Sequence, residues 1–442
     1  MIVRFIVSNF KSFKEPVEFS FIAGNYKRHD NHVVSVANMN LLRCSALYGN
    51  NGSGKTNFLL AIEFLHDLVM YEYDSEFPHN IPTFKLDPTF AKEPTQFEIE
   101  YIVDNIRYSY SITFKNNIII EEWLYKMKEG NDYDIIFERK FDGGSRKIKL
   151  GSKKKLTRKE KYRREIYAED LKNEEVFFNT GANKELKEFE HPYSWFSQKL
   201  NIVGLNAEFN GLPYHFGTNE KFAKLANQLI CETDLGIEEI DVVKTPIDEF
   251  FGPSDTVRKD DIIKRLENFD GIDITANKEE YSVYKDDDGE IIVVKIVTFR
   301  RNKAGRLISF NLKEESAGTR RLFNLIPALI NAITNNGVYI VDELESSFHP
   351  VLIKGILKMY LNLSGNYKGQ ILFSTHESHL LDLELLRQDE IWFAEKCSDG
   401  STKLTSISDF KPRFDKDIRK GYLEGQFSRI PFVGRLEDLN WN

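Results

Sequence analysis

The chain has 442 residues, 41% of them hydrophobic and 29% charged, with a formal net charge of −8. This length leaves room for two or three domains with a large buried core. The acidic balance excludes a chain that coats nucleic acid over its whole surface, though not a local basic patch. Cys44, Cys231 and Cys397 are far apart and lack metal-ligand spacing. They fit a reducing cytoplasm without a disulfide framework, and each reads as a small core or surface residue. No run approaches the roughly eighteen apolar residues of a membrane span. Met1-Ile2-Val3-Arg4-Phe5 lacks the pattern of a signal peptide and reads as a strand, so a cytoplasmic protein is expected.

In chain order, residues 1–8 form a predicted strand, Asn9-Phe10-Lys11-Ser12-Phe13 a turn, and Val17 to Ile22 a second strand. Asn40 to Tyr48 is a buried-strand candidate that runs into a glycine-rich loop. Beyond Thr56, apolar residues at Phe58, Leu59, Ile62, Leu65, Leu68 and Val69 have helical spacing. From Thr95 to Arg139 the pattern is β, with a hairpin turn at Asp104-Asn105. A basic run follows between Arg146 and Arg164. Helical patterns lie near Phe222–Glu232 and Val257–Phe269. Asp286-Asp287-Asp288-Gly289 reads as a turn between strands, because the other ligands of a calcium loop are absent. The last third alternates helix and apolar strand: helix from about Thr319 to Thr334, strand Val338 to Val341, helix around Val351–Leu363, strand Gln370 to Ser374. That alternation predicts a mostly parallel sheet. The segmentation is 1–150 as one half of a head, 151–280 as an inserted helical and basic subdomain, and 281–442 as the other half.

Gly49-Asn50-Asn51-Gly52-Ser53-Gly54-Lys55-Thr56 is a P-loop in its required context, strand before and helix after. Its glycines let backbone amides turn toward phosphate oxygens at the positive end of the following helix. Lys55 is expected to reach the β- and γ-phosphates, and Thr56 to give a hydroxyl to Mg²⁺. Val338-Tyr339-Ile340-Val341-Asp342-Glu343 resembles a Walker B strand that delivers two carboxylates to the C-terminal edge of the sheet. Asp342 is expected to hold Mg²⁺ through water, and Glu343 to polarise the attacking water. Glu315-Ser316-Ala317-Gly318-Thr319 resembles an ABC signature loop, although a helix N-cap at Ser316 or Thr319 explains the same residues. Phe373-Ser374-Thr375-His376 resembles the switch-histidine segment, with an imidazole placed to sense a γ-phosphate. In Ser346-Ser347-Phe348-His349, His349 stands where a D-loop usually has Asp.

The order of these motifs resembles the Rad50/SMC/OLD branch of ABC-type ATPases, and within it the AAA15/AAA21-like stand-alone ATPases of abortive-infection and other phage-defence operons. The resemblance covers both ends of the chain. It implies an α/β P-loop NTPase head with a mostly parallel core sheet, an antiparallel β-subdomain and an inserted helical subdomain. It also implies ATP with Mg²⁺, nucleotide contacts from Lys11, Ser12, Asn50, Asn51, Gly52, Ser53, Gly54, Lys55 and Thr56, and catalysis by Glu343 and His376. Two heads would sandwich two ATPs in a homodimer or larger homo-oligomer, with Ser316 and Gly318 of one chain facing the P-loop of the other. The tail Tyr422 to Phe427 with Ile430-Pro431 is similar to the C-terminal stretch of these ATPases. No Q-loop glutamine stands out; Gln96 reads better as a strand residue.

Three functions follow as expectations. The first is an ATPase that acts as sensor or scaffold in antiviral defence and controls a separate nuclease or toxin. The second is a DNA-maintenance ATPase, for which Arg146–Arg164 would contact phosphate backbone. The third is an ATP-gated binding module without hydrolysis, which the Lys55, Asp342 and Glu343 set argues against. Sustained heptads are missing, which excludes a long coiled coil. Fewer than about seventy residues follow His376, short of a usual domain length, so a nuclease is expected on a separate protein.

Overall fold

The computed structural model describes the chain except residues 73–80, 131, 143–144, 152–155, 205–208, 210, 234, 277–278, 364–366, 414–415 and 428–442. The chain divides into two compact units. One comprises residues 1–205, 332–345 and 353–442, and the other 206–331 and 346–352. This division differs from the segmentation read from the sequence. Residues 151–205 pack with the first unit, and the strands and signature segment of 281–331 with the second.

The first unit holds a six-stranded sheet in the order Leu200–Val203, Val338–Val341, Gln370–Thr375, Cys44–Tyr48, Ile391–Lys396, Thr402–Ser406. The first five strands are parallel and the last is antiparallel. Every residue of Cys44–Tyr48 and of Val338–Val341 is buried, which is why these runs read as continuous apolar stretches rather than alternating ones. The predicted strand from Asn40 is in fact two, Met39–Leu42 and Cys44–Tyr48. Arg43 separates them, its guanidinium turned to the carbonyls of Asn31 and Tyr360.

A seven-stranded antiparallel sheet carries Ile2–Ser8, Val17–Ser20 and the meander from Thr95 to Leu150. Asp104 and Asn105 both take positive φ, 47° and 62°, as the hairpin turn requires. The helix Lys55–Met70 buries Phe58, Leu59, Ile62, Leu65, Leu68 and Val69 along one stripe. Phe58 meets Phe5 and Phe19 with ring centroids 5.6 and 5.3 Å apart. Each such side chain contributes about 1.5–3 kcal/mol on burial, so the helix, and with it the P-loop, is fixed to this sheet. Residues 172–178 are tied to the same sheet by a buried pair. Glu122 accepts from the backbone N–H groups of Phe177 and Phe178, both at 2.9 Å, while Arg139 donates to the carbonyls of Lys172, Asn173 and Glu175.

The second unit is built on a sheet in the order Glu239–Pro246, Ile291–Arg301, Glu279–Lys285, Gly271–Ala276, with Leu307–Asn311 also paired to Ile291–Arg301. The acidic run is the expected turn: the Asp286 carboxylate accepts from the backbone of Asp288 and Glu290. Among the described residues no cluster of His, Cys, Asp or Glu suits a metal. No described helix is long and apolar enough to cross a membrane.

Candidate nucleotide site

Three neighbouring parallel strands end at one edge of the core sheet. Cys44–Tyr48 runs into the P-loop, Val338–Val341 into Asp342-Glu343, and Gln370–Thr375 into His376. Brought together there are Lys55, Thr56, Asp342, Glu343 and His376. The helix Lys55–Met70 starts at the loop with no acidic residue in its first turn, so its positive end faces the loop uncompensated.

The Lys55 side chain is buried, and its ammonium donates to two carbonyls of its own loop, Gly49 O at 2.6 Å and Asn50 O at 3.2 Å. Burial lowers its pKa, opposed by the carboxylates of Glu345, Glu343 and Asp342. The Ser53 hydroxyl is buried without a hydrogen-bond partner. Thr56 Oγ1 lies 3.4 Å from Asp342 Oδ1. A hydroxyl and a carboxylate at this separation are a hard-oxygen donor pair suited to Mg²⁺, and an ammonium with only backbone carbonyls to bind suits an incoming phosphate. These residues therefore fit a nucleotide with Mg²⁺. Asn51 and Gly52 are exposed at the loop tip.

Asp342 and Glu343 are set by a residue the sequence reading overlooked. Ser374, fully buried, donates from Oγ to Asp342 Oδ1 at 2.5 Å and accepts the Glu343 N–H at 2.8 Å. Glu343 has a φ of 45°, a left-handed backbone that non-glycine residues rarely hold and that clusters at functional sites. His376 donates its backbone N–H to Glu345 Oε1 at 2.7 Å, and its ring Nδ1 lies 3.0 Å from the same oxygen.

A second overlooked residue, Thr402, supports the P-loop from behind. A hydroxyl carries one proton, so the contacts form a directed chain. Asn57 Nδ2 donates to Ser12 Oγ at 2.9 Å, Ser12 to Thr402 Oγ1 at 2.9 Å, and Thr402 to the Ser53 carbonyl at 2.8 Å. Ser12 is thus buried and engaged with the loop's underside. Gly54 has a φ of 107°, and a Cβ there would lie 2.3 Å from Thr402 Oγ1, so only glycine fits. Lys11 also has positive φ, its N–H bonds Pro82 O, and burial lowers its pKa.

The signature segment lies in the second unit. Ser316 Oγ caps the helix Ala317–Thr334 by accepting the Thr319 N–H at 3.1 Å, and Glu315 accepts from Thr298 and Arg300 at 2.5 and 2.6 Å. A Cβ on Gly318 would lie 2.6 Å from the Ser347 carbonyl, so this glycine is required by close backbone packing within the chain. His349 caps the next helix, Pro350–Leu361, its Nδ1 accepting the Val351 N–H at 3.3 Å.

Within the basic run, Arg146, Lys149, Arg163 and Arg164 are bonded inside the chain, Arg164 fully buried against Glu188. Lys147, Arg158 and Lys159 face solvent, and Lys153–Lys155 lie outside the described residues. Gln96 lies in the antiparallel sheet beside Ser111. In the tail, Tyr422 stacks on Phe393 at 5.5 Å; Ile430 and Pro431 lie outside the described residues.

A family model described as "AAA domain, putative AbiEii toxin, Type IV TA system" matches residues 44–382. No curated protein matches the chain. Solved structures similar to it include the SMC head domain from Thermotoga maritima, at 14% identity over 92% of this chain and 98% of that one, with a TM-score of 0.40. A second is an SMC head domain with an extended coiled coil, bound to the C-terminal domain of ScpA and derived from Pyrococcus furiosus, at 11% identity over 93% and 97%, with a TM-score of 0.41. With the P-loop, the paired carboxylates and the histidine converging on one edge of a parallel sheet, and the family model spanning most of its length, the chain belongs to this AAA-domain family (AAA_21), with an α/β fold built on a mostly parallel core sheet.

Proposed function

We propose that this protein binds ATP with Mg²⁺ and hydrolyses it slowly or under control, as a nucleotide-dependent sensor or scaffold in antiviral defence. The observation that carries the ATPase reading is the convergence of Lys55, Thr56, Asp342, Glu343 and His376 at the ends of three adjacent strands. In this reading Lys55 leaves its loop carbonyls for the β- and γ-phosphates, and the amides of residues 50–54 line the phosphate cradle. Thr56 and Asp342 hold Mg²⁺, which neutralises charge on the phosphates. Glu343 accepts a proton from the attacking water, and His376 stabilises charge at the γ-phosphate. Lys11 and Ser12 contribute beside the loop, Ser12 through its support of Ser53.

The P-loop of one chain and Ser316 and Gly318 of another would complete each site, so ATP would join two copies and hydrolysis release them. The family description, with its toxin and toxin–antitoxin terms, supports a role in defence. Control of a separate effector protein in the cytoplasm belongs to this proposal. Direct action on DNA has the narrower support of Lys147, Arg158 and Lys159, exposed in a run where Arg146, Lys149, Arg163 and Arg164 are bonded internally. The test is ATP turnover by wild type and Glu343→Gln. Turnover in wild type that falls by about 10²-fold or more in the variant, with binding retained, is the expected result; equal turnover overturns the assignment.

A further inference from the structure

His376 needs a partner to fix which of its ring nitrogens meets the reacting phosphate. The neighbouring carboxylate that does this is Glu345, two residues beyond the proposed base. Glu345 is 8% exposed, and its Oε1 accepts the His376 backbone N–H at 2.7 Å. An oxygen that already accepts from the backbone at this distance meets Nδ1, 3.0 Å away, as an acceptor, so Nδ1 carries the proton. One oxygen then holds His376 at two points, its backbone N–H and its ring Nδ1, and Nε2 is the ring nitrogen left over. The other oxygen, Oε2, is buried with no hydrogen-bond partner. A carboxylate kept only for stability would be fully bonded, because an unsatisfied buried acceptor costs about 1–3 kcal/mol.

We infer that Glu345 is the positioning residue of His376, holding the ring in the Nδ1–H form so that Nε2 is presented to the γ-phosphate. The inference rests on the ATPase reading, and its test separates the two. In ¹⁵N-histidine-labelled protein, with the His376 signals assigned by loss in His376→Gln, Nδ1 of the neutral ring is protonated in wild type. That preference is lost in Glu345→Ala and kept in Glu345→Gln, whose amide oxygen still accepts. A wild-type ring protonated on Nε2, or one unaffected by Glu345→Ala, overturns the assignment whatever the ATPase assay gives. In turnover, Glu345→Ala lowers kcat about 10–100-fold with KM for ATP unchanged, and adding it to His376→Ala lowers kcat no further. Fully additive losses would also overturn it. Absence of turnover in wild type would sink the ATPase reading and leave the tautomer measurement to decide the role of Glu345.

Discussion

Replacing Thr402 with Val keeps the side-chain volume and removes the hydroxyl that joins Ser12 to the P-loop. Thr402 is 3% exposed, donates to the Ser53 carbonyl at 2.8 Å and accepts from Ser12 at 2.9 Å. Two hydrogen bonds at about 0.5–1.5 kcal/mol each are lost, and the stranded Ser53 carbonyl costs about 1–3 kcal/mol if no water reaches it. Ser12 Oγ keeps its donor, Asn57, so the lower part of that range applies there and the sum is about 2–3 kcal/mol. The strain falls on Ser53 and Gly54, directly before Lys55. If the ordered loop is what nucleotide selects, that sum corresponds to a loss of about 30- to 150-fold in ATP affinity. The assay is calorimetric titration of ATP into wild type, Thr402→Val and Thr402→Ser, with thermal melts of each. Thr402→Ser, which retains the hydroxyl, should bind within a few-fold of wild type. Wild-type affinity in Thr402→Val would refute the view that this chain of hydroxyls shapes the phosphate cradle.

Three further outcomes are expected. Ser374→Ala removes the donor to Asp342 and the acceptor of the Glu343 N–H; Mg²⁺-dependent ATP affinity should fall about 10–100-fold while binding measured in excess chelator changes little. Gly318→Ala puts a methyl 2.6 Å from the Ser347 carbonyl, so the helix start must shift, at about 1–3 kcal/mol, read as a lower melting temperature. Glu279 is held down to about 2 by Lys313, then Tyr281 and Lys295, which outweigh the cost of its burial. Because its folded pKa is depressed from 4.5, its contribution is complete above that value and is lost as pH falls toward about 2. Glu279→Gln should flatten the acid limb of stability in the second unit, followed by hydrogen exchange; an unchanged limb would contradict the assignment.

The local structure of the candidate site was legible in the sequence wherever it sits on contiguous residues. Gly49 to Thr56 and Val338 to Glu343 announce a strand end, a glycine-rich loop leading into a helix, and two carboxylates without help from the rest of the chain. Asp104-Asn105 and Asp286 to Gly289 are likewise local turn chemistry. What escaped depends on long-range packing. Thr402 reaches Ser53 across 349 positions of sequence, and nothing in Ser401-Thr402-Lys403 distinguishes it from an ordinary strand residue. Ser374 and Glu345 stood beside residues already singled out, yet their roles follow only from the sheet register that sets Val341 against Phe373. The basic run shows the opposite error. Its composition suggests one charged surface, but Arg146 and Arg164 are consumed by carbonyls and a carboxylate inside the fold. The compact units depart from the segmentation at 151–205, where the buried Glu122–Arg139 pair fixes residues 172–178 to a sheet formed earlier in the chain.

The central claim is that ATP, held at Lys55 and Thr56 and kept there when Glu343 is disabled, joins two copies of this chain. The direct test is the solution mass of Glu343→Gln with and without ATP and Mg²⁺, by light scattering. The account predicts that ATP raises the mass, from monomer to dimer or from one assembly to a larger one, and that Lys55→Ala abolishes the rise. Saturating ATP binding with no change in mass would contradict it.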